Sequence, residues 1–281
     1  IVISAASEIT ETDGLKIISL KTFDDGNIAL GTPSVSVMPD LKNIESIEVI
    51  ASKNGDIQLG NLGSNISANK ILNFTLITEG GSINLGTIKA KKIVDFSITG
   101  NEFSSVSIGD IQIEESISNF TMGGDVDVAI GKFSGNGNIN INAISMTKEG
   151  INLDFSNHNA SVDVITTNQN DTILLGIEGG KVNSGAGNDI ITILATATGK
   201  SDIKSGDGID TITLPNLSGI DVVSPGGTNV NSVDKLATTH NAILADKIIN
   251  FDPNNDIIVF GSITATENNF LSETSAASFK D

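Results

Sequence analysis

ILNFTLITEGGSINLGTI, Ile71–Ile88, holds two short runs in which apolar and polar residues alternate, joined by a glycine-rich spacer. Both runs recur. The first type appears as IESIEV (Ile44–Val49), ILNFTL (Ile71–Leu76), IVDFSI (Ile93–Ile98) and ISNFTM (Ile117–Met122). The second appears as IQLGNL (Ile57–Leu62), INLGTI (Ile83–Ile88), VSIGDI (Val106–Ile111) and VAIGKF (Val128–Phe133). A period of two marks strands with one buried face, and no helical period is present. Two strands returning together every 22 to 27 residues describe one coil of a solenoid. A single coil cannot bury its inner face, but coils stacked about 4.8 Å apart bury a continuous ladder. The spacers SKNGD, EGGS, GNEFSS and GGD are rich in Gly, Asn, Asp and Ser, which supply turns. An antiparallel sandwich is the competing architecture; four matched pairs in order favour the solenoid.

Beyond residue 150 the period shortens to nine: Phe155, Val164, Ile173, Val182 and Ile191 are evenly spaced. After three extra residues the ladder resumes at Ile203 and Ile212, is broken by Asp221 and returns at Val230. Nine residues is the period of a parallel β-roll. The expected fold is therefore all-β: an elongated parallel β-solenoid (β-helix) continuing into a β-roll. The expected divisions are an N-terminal β segment or cap (1–43), solenoid repeats (44–150), the roll (151–232), and capping strands with a tail (233–281).

Composition narrows the function. The 281 residues carry 34 acidic and 16 basic side chains, a formal net charge of −18. Every basic residue is lysine, and Cys, Trp and Tyr are absent. Without arginine or a basic field, nucleic acid is excluded as an expected partner. Without cysteine there is no disulfide frame and no thiolate zinc site. The 11 aromatics are all Phe, which disfavours stacking platforms for bases or sugars. No apolar run approaches the ~18 residues that cross a bilayer, so no membrane insertion is expected. Residue 1 is Ile and no signal-type segment follows, so the chain reads as a piece or processed form of something larger.

Two segments stand out in the nine-residue register: SGAGNDIIT (Ser184–Thr192) and SGDGIDTIT (Ser205–Thr213). A third, TTNQNDTIL (Thr166–Leu174), keeps the Asp and apolar positions without the glycines. These resemble the RTX nonapeptide GGxGxDxUx, with serine for the first glycine. The family is a calcium-binding parallel β-roll of type I secreted bacterial proteins. The resemblance implies Ca²⁺ held by Asp171, Ser184, Ala186, Asn188, Asp189, Ser205, Asp207, Ile209 and Asp210. The chemistry is consistent: calcium takes about six to eight oxygens, and glycine lets a tight loop aim its carbonyls at one point. Asp171, Asp189 and Asp210 are each two units apart and share one edge. Gly180 and Ser201 stand at the ligand position of the intervening units, so the opposite edge is expected to be empty. Ordinary Asp/Gly turns that hold strands without metal are the alternative reading. ADKIINFDPNNDIIVFG (Ala245–Gly261) resembles the strand pair that ends such rolls, with Phe251 and Phe260 as covers; Asp246, Asp252 and Asp256 read as a solvated turn, with a further ion site as the alternative.

An enzyme is not expected. Lyases and epimerases on similar scaffolds need a base, an acid and a group that neutralises the uronate. Tyr and Arg are missing, and His158 (NHNA) and His240 (TTHN) sit in polar, loop-like contexts. HExxH and GxSxG are absent. The stretch INLDFSNHNASVDVITTNQNDTILLG leading into the glycine loops resembles RTX-type bacterial surface-layer (S-layer) proteins. That resemblance implies a secreted structural protein of the bacterial cell surface. It would self-assemble with calcium into a two-dimensional lattice, anchored to lipopolysaccharide through a region outside this chain. A secreted RTX adhesin or stalk is the alternative. Asp24, Asp25, Glu114 and Glu115 are candidate surface carboxylates for calcium-bridged contacts.

Overall fold

A computed structural model describes residues 2–3, 17–22, 27–30, 38–53, 55–59, 65–215, 221–225, 247–251 and 256–258. The chain is an all-β parallel solenoid. Every strand ladder among the described residues is parallel, each coil stacked on the one before with one-residue or longer register shifts at some bends, such as Ala90/Lys92 and Gly100/Ser104. Among the described residues no helix is long and apolar enough to cross a membrane.

The first half has three faces rather than the two strands per coil that the repeats suggested. INLGTI is the end of one strand, a glycine turn and the start of the next: Ser82–Leu85 ends one face and Thr87–Ile108 begins another. The long strands Met38–Ser52, Asn65–Glu79, Thr87–Ile108 and Ile111–Ile130 run through bends where inward and outward residues stop alternating. Ile57, Ile83, Val106 and Val128 form one rung ladder. Ile47, Phe74, Phe96 and Phe120 form another. The phenyl rings stack, with centroids 4.7 Å apart for Phe74–Phe96 and 4.2 Å for Phe96–Phe120. The spacers GNEFSS and GGD, expected as turns, lie instead within the continuous strands Thr87–Ile108 and Ile111–Ile130; backbone φ is positive at Lys53, Gly80, Phe103 and Gly124.

The third face ends at residues 126–130. No described strand follows it there, and Val128 and Ile130 are partly buried where Val106 and Ile108 below are fully so. From Asn152 onward two faces remain. One stacks Asn152–His158, Thr172–Leu175, Ile190–Ile193, Thr211–Thr213 and Lys247–Ile249. The other stacks Val162–Ile165, Gly180–Asn183, Ser201–Gly206, Val222–Pro225 and Ile257–Ile258. The nine-residue ladder is the core of this part: Val164, Ile173, Val182, Ile191, Ile203 and Ile212 are all buried.

Three details differ from the expectation. The rung aligned with Ile173 is Leu153, while Phe155 stacks on Phe133 at 4.7 Å. After Ile203 the next rung is Val223, two residues past Asp221, and Val230 lies outside the described residues. The C-terminal strands continue the solenoid, with Ile248 on Ile212 and Ile258 on Val223. Phe251 packs against the core; Phe260, Asp246 and Asp252 lie outside the described residues.

Candidate functional site

The glycine loops lie along one edge of the two-faced part. Gly185 and Gly206 have φ of 90° and 87°, and a Cβ on either would run into the carbonyl of the loop below. Glycine is required there twice over, by handedness and by close approach. The loops then stack directly: Gly187 N–H donates to Asp207 O (2.8 Å) and Asp207 N–H to Gly185 O (2.9 Å).

This stacking brings Asp171, Asp189 and Asp210 into one buried column, each at most 1% exposed. Each carboxylate reaches back one coil. Ile151 N–H donates to Asp171 Oδ1 (2.7 Å), Asp171 N–H to Asp189 Oδ1 (2.8 Å) and Asp189 N–H to Asp210 Oδ1 (2.9 Å). The preceding asparagines reach forward instead: Asn188 N–H donates to Asn170 Oδ1 (2.7 Å) and Ile209 N–H to Asn188 Oδ1 (2.8 Å). An Asn–Asp pair thus staples its coil to both neighbours. Hydroxyls add a third column, with Thr166 Oγ1 donating to Ser184 O (3.2 Å) and Ser184 Oγ to Ser205 O (2.7 Å).

The loop variant lacking glycine differs in chemistry as well as shape. Thr167 gives both its N–H (3.0 Å, to Oδ2) and its hydroxyl (2.9 Å, to Oδ1) to Asp171. Where Gly185 replaces that threonine, Asp189 Oδ2 is buried with no hydrogen-bond donor. Burial pushes the Asp189 carboxyl up to about 7, against the Asp171 N–H and the Ser184 hydroxyl; the neighbouring Asp210 and Asp171 charges push it further. Asp171 is also raised by burial, and the hydroxyls and N–H groups around it oppose this.

The nine residues expected as calcium ligands are therefore brought together on one edge. Asp171, Ser184, Asp189, Ser205 and Asp210 are buried within it, and Ala186, Asn188, Asp207 and Ile209 lie on its outer rim. The donor set is all oxygen, as a hard cation requires. Asp189 Oδ2 is an open buried acceptor, and Asp207 Oδ1 is a second buried oxygen without a partner. These features fit calcium. Among the described residues no group of three or more His, Asp or Glu is arranged to hold a metal by itself, so the remaining ligands would be loop carbonyls.

The opposite edge, with Gly180 and Ser201 at the ligand position as expected, carries a carboxylate one coil further on. Asp221 occupies the position that Gly180 and Ser201 hold in earlier coils: Ser201 N–H donates to Asp221 Oδ1 (3.0 Å), and Asp221 N–H to Asp256 Oδ1 (3.3 Å). Asp221 is 1% exposed, and burial raises its carboxyl. In the nine-residue count Asp221 falls on the apolar position, so its role was hidden by the shift that makes Val223 the rung.

His158 also departs from its expected place. It is buried rather than solvated, at the end of Asn152–His158, with its ring edge-on to Phe155 at 6.2 Å. Burial lowers its pKa below the ordinary value. The polar neighbours Asn157 and Asn159 concealed this; the alternation Leu153, Phe155 within the strand was the signal available. His240, Asp24 and Asp25 lie outside the described residues, and Glu114 and Glu115 are exposed.

No family model, no curated protein and no solved structure matches this chain.

Proposed function

We propose that this chain is a structural component of a bacterial surface layer, secreted and self-assembling into a calcium-dependent two-dimensional lattice. The observation that supports it most directly is the buried Asp column with the open Asp189 Oδ2 at its middle, set between stacked glycine loops that resemble the RTX type. Three carboxylates in one dehydrated column repel one another and lose hydration, so the edge calls for a counter-charge. Calcium, when bound, supplies two positive charges and satisfies oxygens that have no donor. Asp189 and Asp210 would hold it, with Asp207 and carbonyls of the Ser184 and Ser205 loops. The chain's own groups do the positioning: the Asn–Asp staples fix loop spacing, and the glycines let the carbonyls approach.

The lattice reading adds to this the long regular flanks of a rod and the absence of an assembled acid–base or nucleophile constellation among the described residues. Attachment to lipopolysaccharide would use a region outside this chain. Two measurements test the proposal. Circular dichroism and melting with and without chelator report the calcium link; identical spectra and melting points would overturn it. Electron microscopy and light scattering during calcium titration report the lattice. A chain that stays monomeric in millimolar calcium at high concentration, and instead binds a sugar or host ligand, would turn the reading to an adhesin stalk.

A further inference from the structure

The charge of the three-faced part is divided along the rod. Residues 65–92 contain Lys70, Lys89, Lys91 and Lys92 against one acid, Glu79, while residues 93–131 contain seven acids and no lysine. The fold concentrates this division on one ridge. In three consecutive coils the buried pairs Ala68/Ile71, Ala90/Ile93 and Ile113/Ile117 bracket a bend whose residues point outward. The bend carries Asn69 and Lys70, then Lys91 and Lys92, then Glu114, Glu115 and Ser116. Register places them in line: Lys70 pairs with Lys92 and Lys92 with Ser116, while Ala90 pairs with Ile113. Lys89 points outward beside the bend. The ion pairs formed among the described residues, Lys132–Asp154 (3.3 Å) and Lys148–Asp127 (2.8 Å), lie elsewhere.

We propose that two copies of this chain pair antiparallel through this ridge, Lys91 and Lys92 of each facing Glu114 and Glu115 of the other. The inference rests on the self-assembly reading above and gives it a defined contact. At a net charge of −18 two copies repel unless they meet where the charge is locally reversed, and the lysine coils are such a place. A two-fold axis in the contact plane, perpendicular to the solenoid axis, reverses the order of coils. With the axis falling between the coil of Lys91 and Lys92 and the coil of Glu114 and Glu115, it sets Lys91 and Lys92 against the partner's glutamates, sets Lys70 against the uncharged bend at residues 136–138, and repeats the same contacts in exchange, as an isologous interface requires. A parallel pairing would set lysine on lysine, so complementarity selects the antiparallel one. In this arrangement Glu114 and Glu115 meet lysine rather than calcium, so the contact forms without the metal and weakens with salt.

Charge reversal tests it in the full chain. One variant carries K70E, K91E and K92E; the other carries E114K and E115K. All five positions are outward-facing, and circular dichroism checks that both variants keep the native spectrum. Sedimentation is run in chelator at low salt and again in millimolar calcium. The native chain should pair at low salt and dissociate as salt rises. Each variant alone should self-associate roughly tenfold or more weakly, because like charges then face each other. An equal mixture should recover one-to-one pairs. A native chain that never pairs in chelator, a variant that pairs as well as the native chain, or a mixture that stays monomeric would each overturn the proposal. The lattice reading fails separately: pairs that form in chelator but never grow in calcium defeat the lattice and leave the pair. Sheets that grow in calcium without rescue in the mixture do the reverse.

Discussion

Replacing Asp189 with asparagine in calcium-free protein should stabilise it, and by an amount that depends on pH. Burial lifts this carboxyl from an ordinary 3.8 to about 7. Between those limits the folded chain holds a proton that the unfolded chain has released. Stability from this group is therefore complete below 3.8 and is lost as pH rises through about 7. Each pH unit of that interval is worth about 1.4 kcal/mol, so the ionised side chain costs about 4 kcal/mol at most near pH 8. The D189N variant keeps an oxygen for Asp171 N–H and places an amide N–H beside the Ser184 hydroxyl, so the staple survives without the charge. Urea unfolding followed by circular dichroism, in chelator, should show the variant ahead near pH 8. Its advantage should shrink by about 2 to 3 kcal/mol near pH 5. Calcium should stabilise the native chain more than the variant. A variant weaker than the native chain near pH 8 in chelator, or an advantage that ignores pH, would refute the reasoning.

His158 has the opposite sign: its lowered pKa means that stability is complete above 6.5 and is lost as pH falls through the folded value, so H158L should flatten the acid limb of the urea midpoint against pH. G206A should lose the stacked loops, since strain of about 1 to 3 kcal/mol adds to a collision with the Gly185 carbonyl; hydrogen exchange in residues 184–210 should rise. F96A removes the middle ring of the Phe74–Phe96–Phe120 stack and should cost about 3 to 5 kcal/mol in chemical unfolding, with or without calcium.

The periodic part of the fold was legible because stacking forces the same residue types onto the same rung. Ile57, Ile83, Val106 and Val128 repeat for that reason, as do Val164, Val182 and Ile203. The third face was not, because INLGTI reads as one run although Gly86 turns the chain between faces. The shared edge of Asp171, Asp189 and Asp210 followed from counting by nine; its meaning as a hydrogen-bonded column did not, since a spacing does not tell which backbone N–H a carboxylate meets. Asp221 was misplaced because one coil departs from the count, which no local pattern announces. His158 was misread because its flanking residues point outward while it points in, and alternation had to be weighed above neighbourhood.

The loss of the third face after residues 126–130 narrows the shaft, from coils that advance 22 to 27 residues between Ile44 and Ile130 to coils that advance 18 to 21 residues between Asn152 and Pro225. Tapered units laid side by side in the same direction behave like the stones of an arch, and each added neighbour tilts the layer a little further. Laid head to tail, the broad end of one fills the space beside the narrow end of the next, and the layer stays flat. Whether this chain tiles a plane or wraps a curved wall is therefore decided by the polarity of its neighbours, not by the stiffness of the shaft.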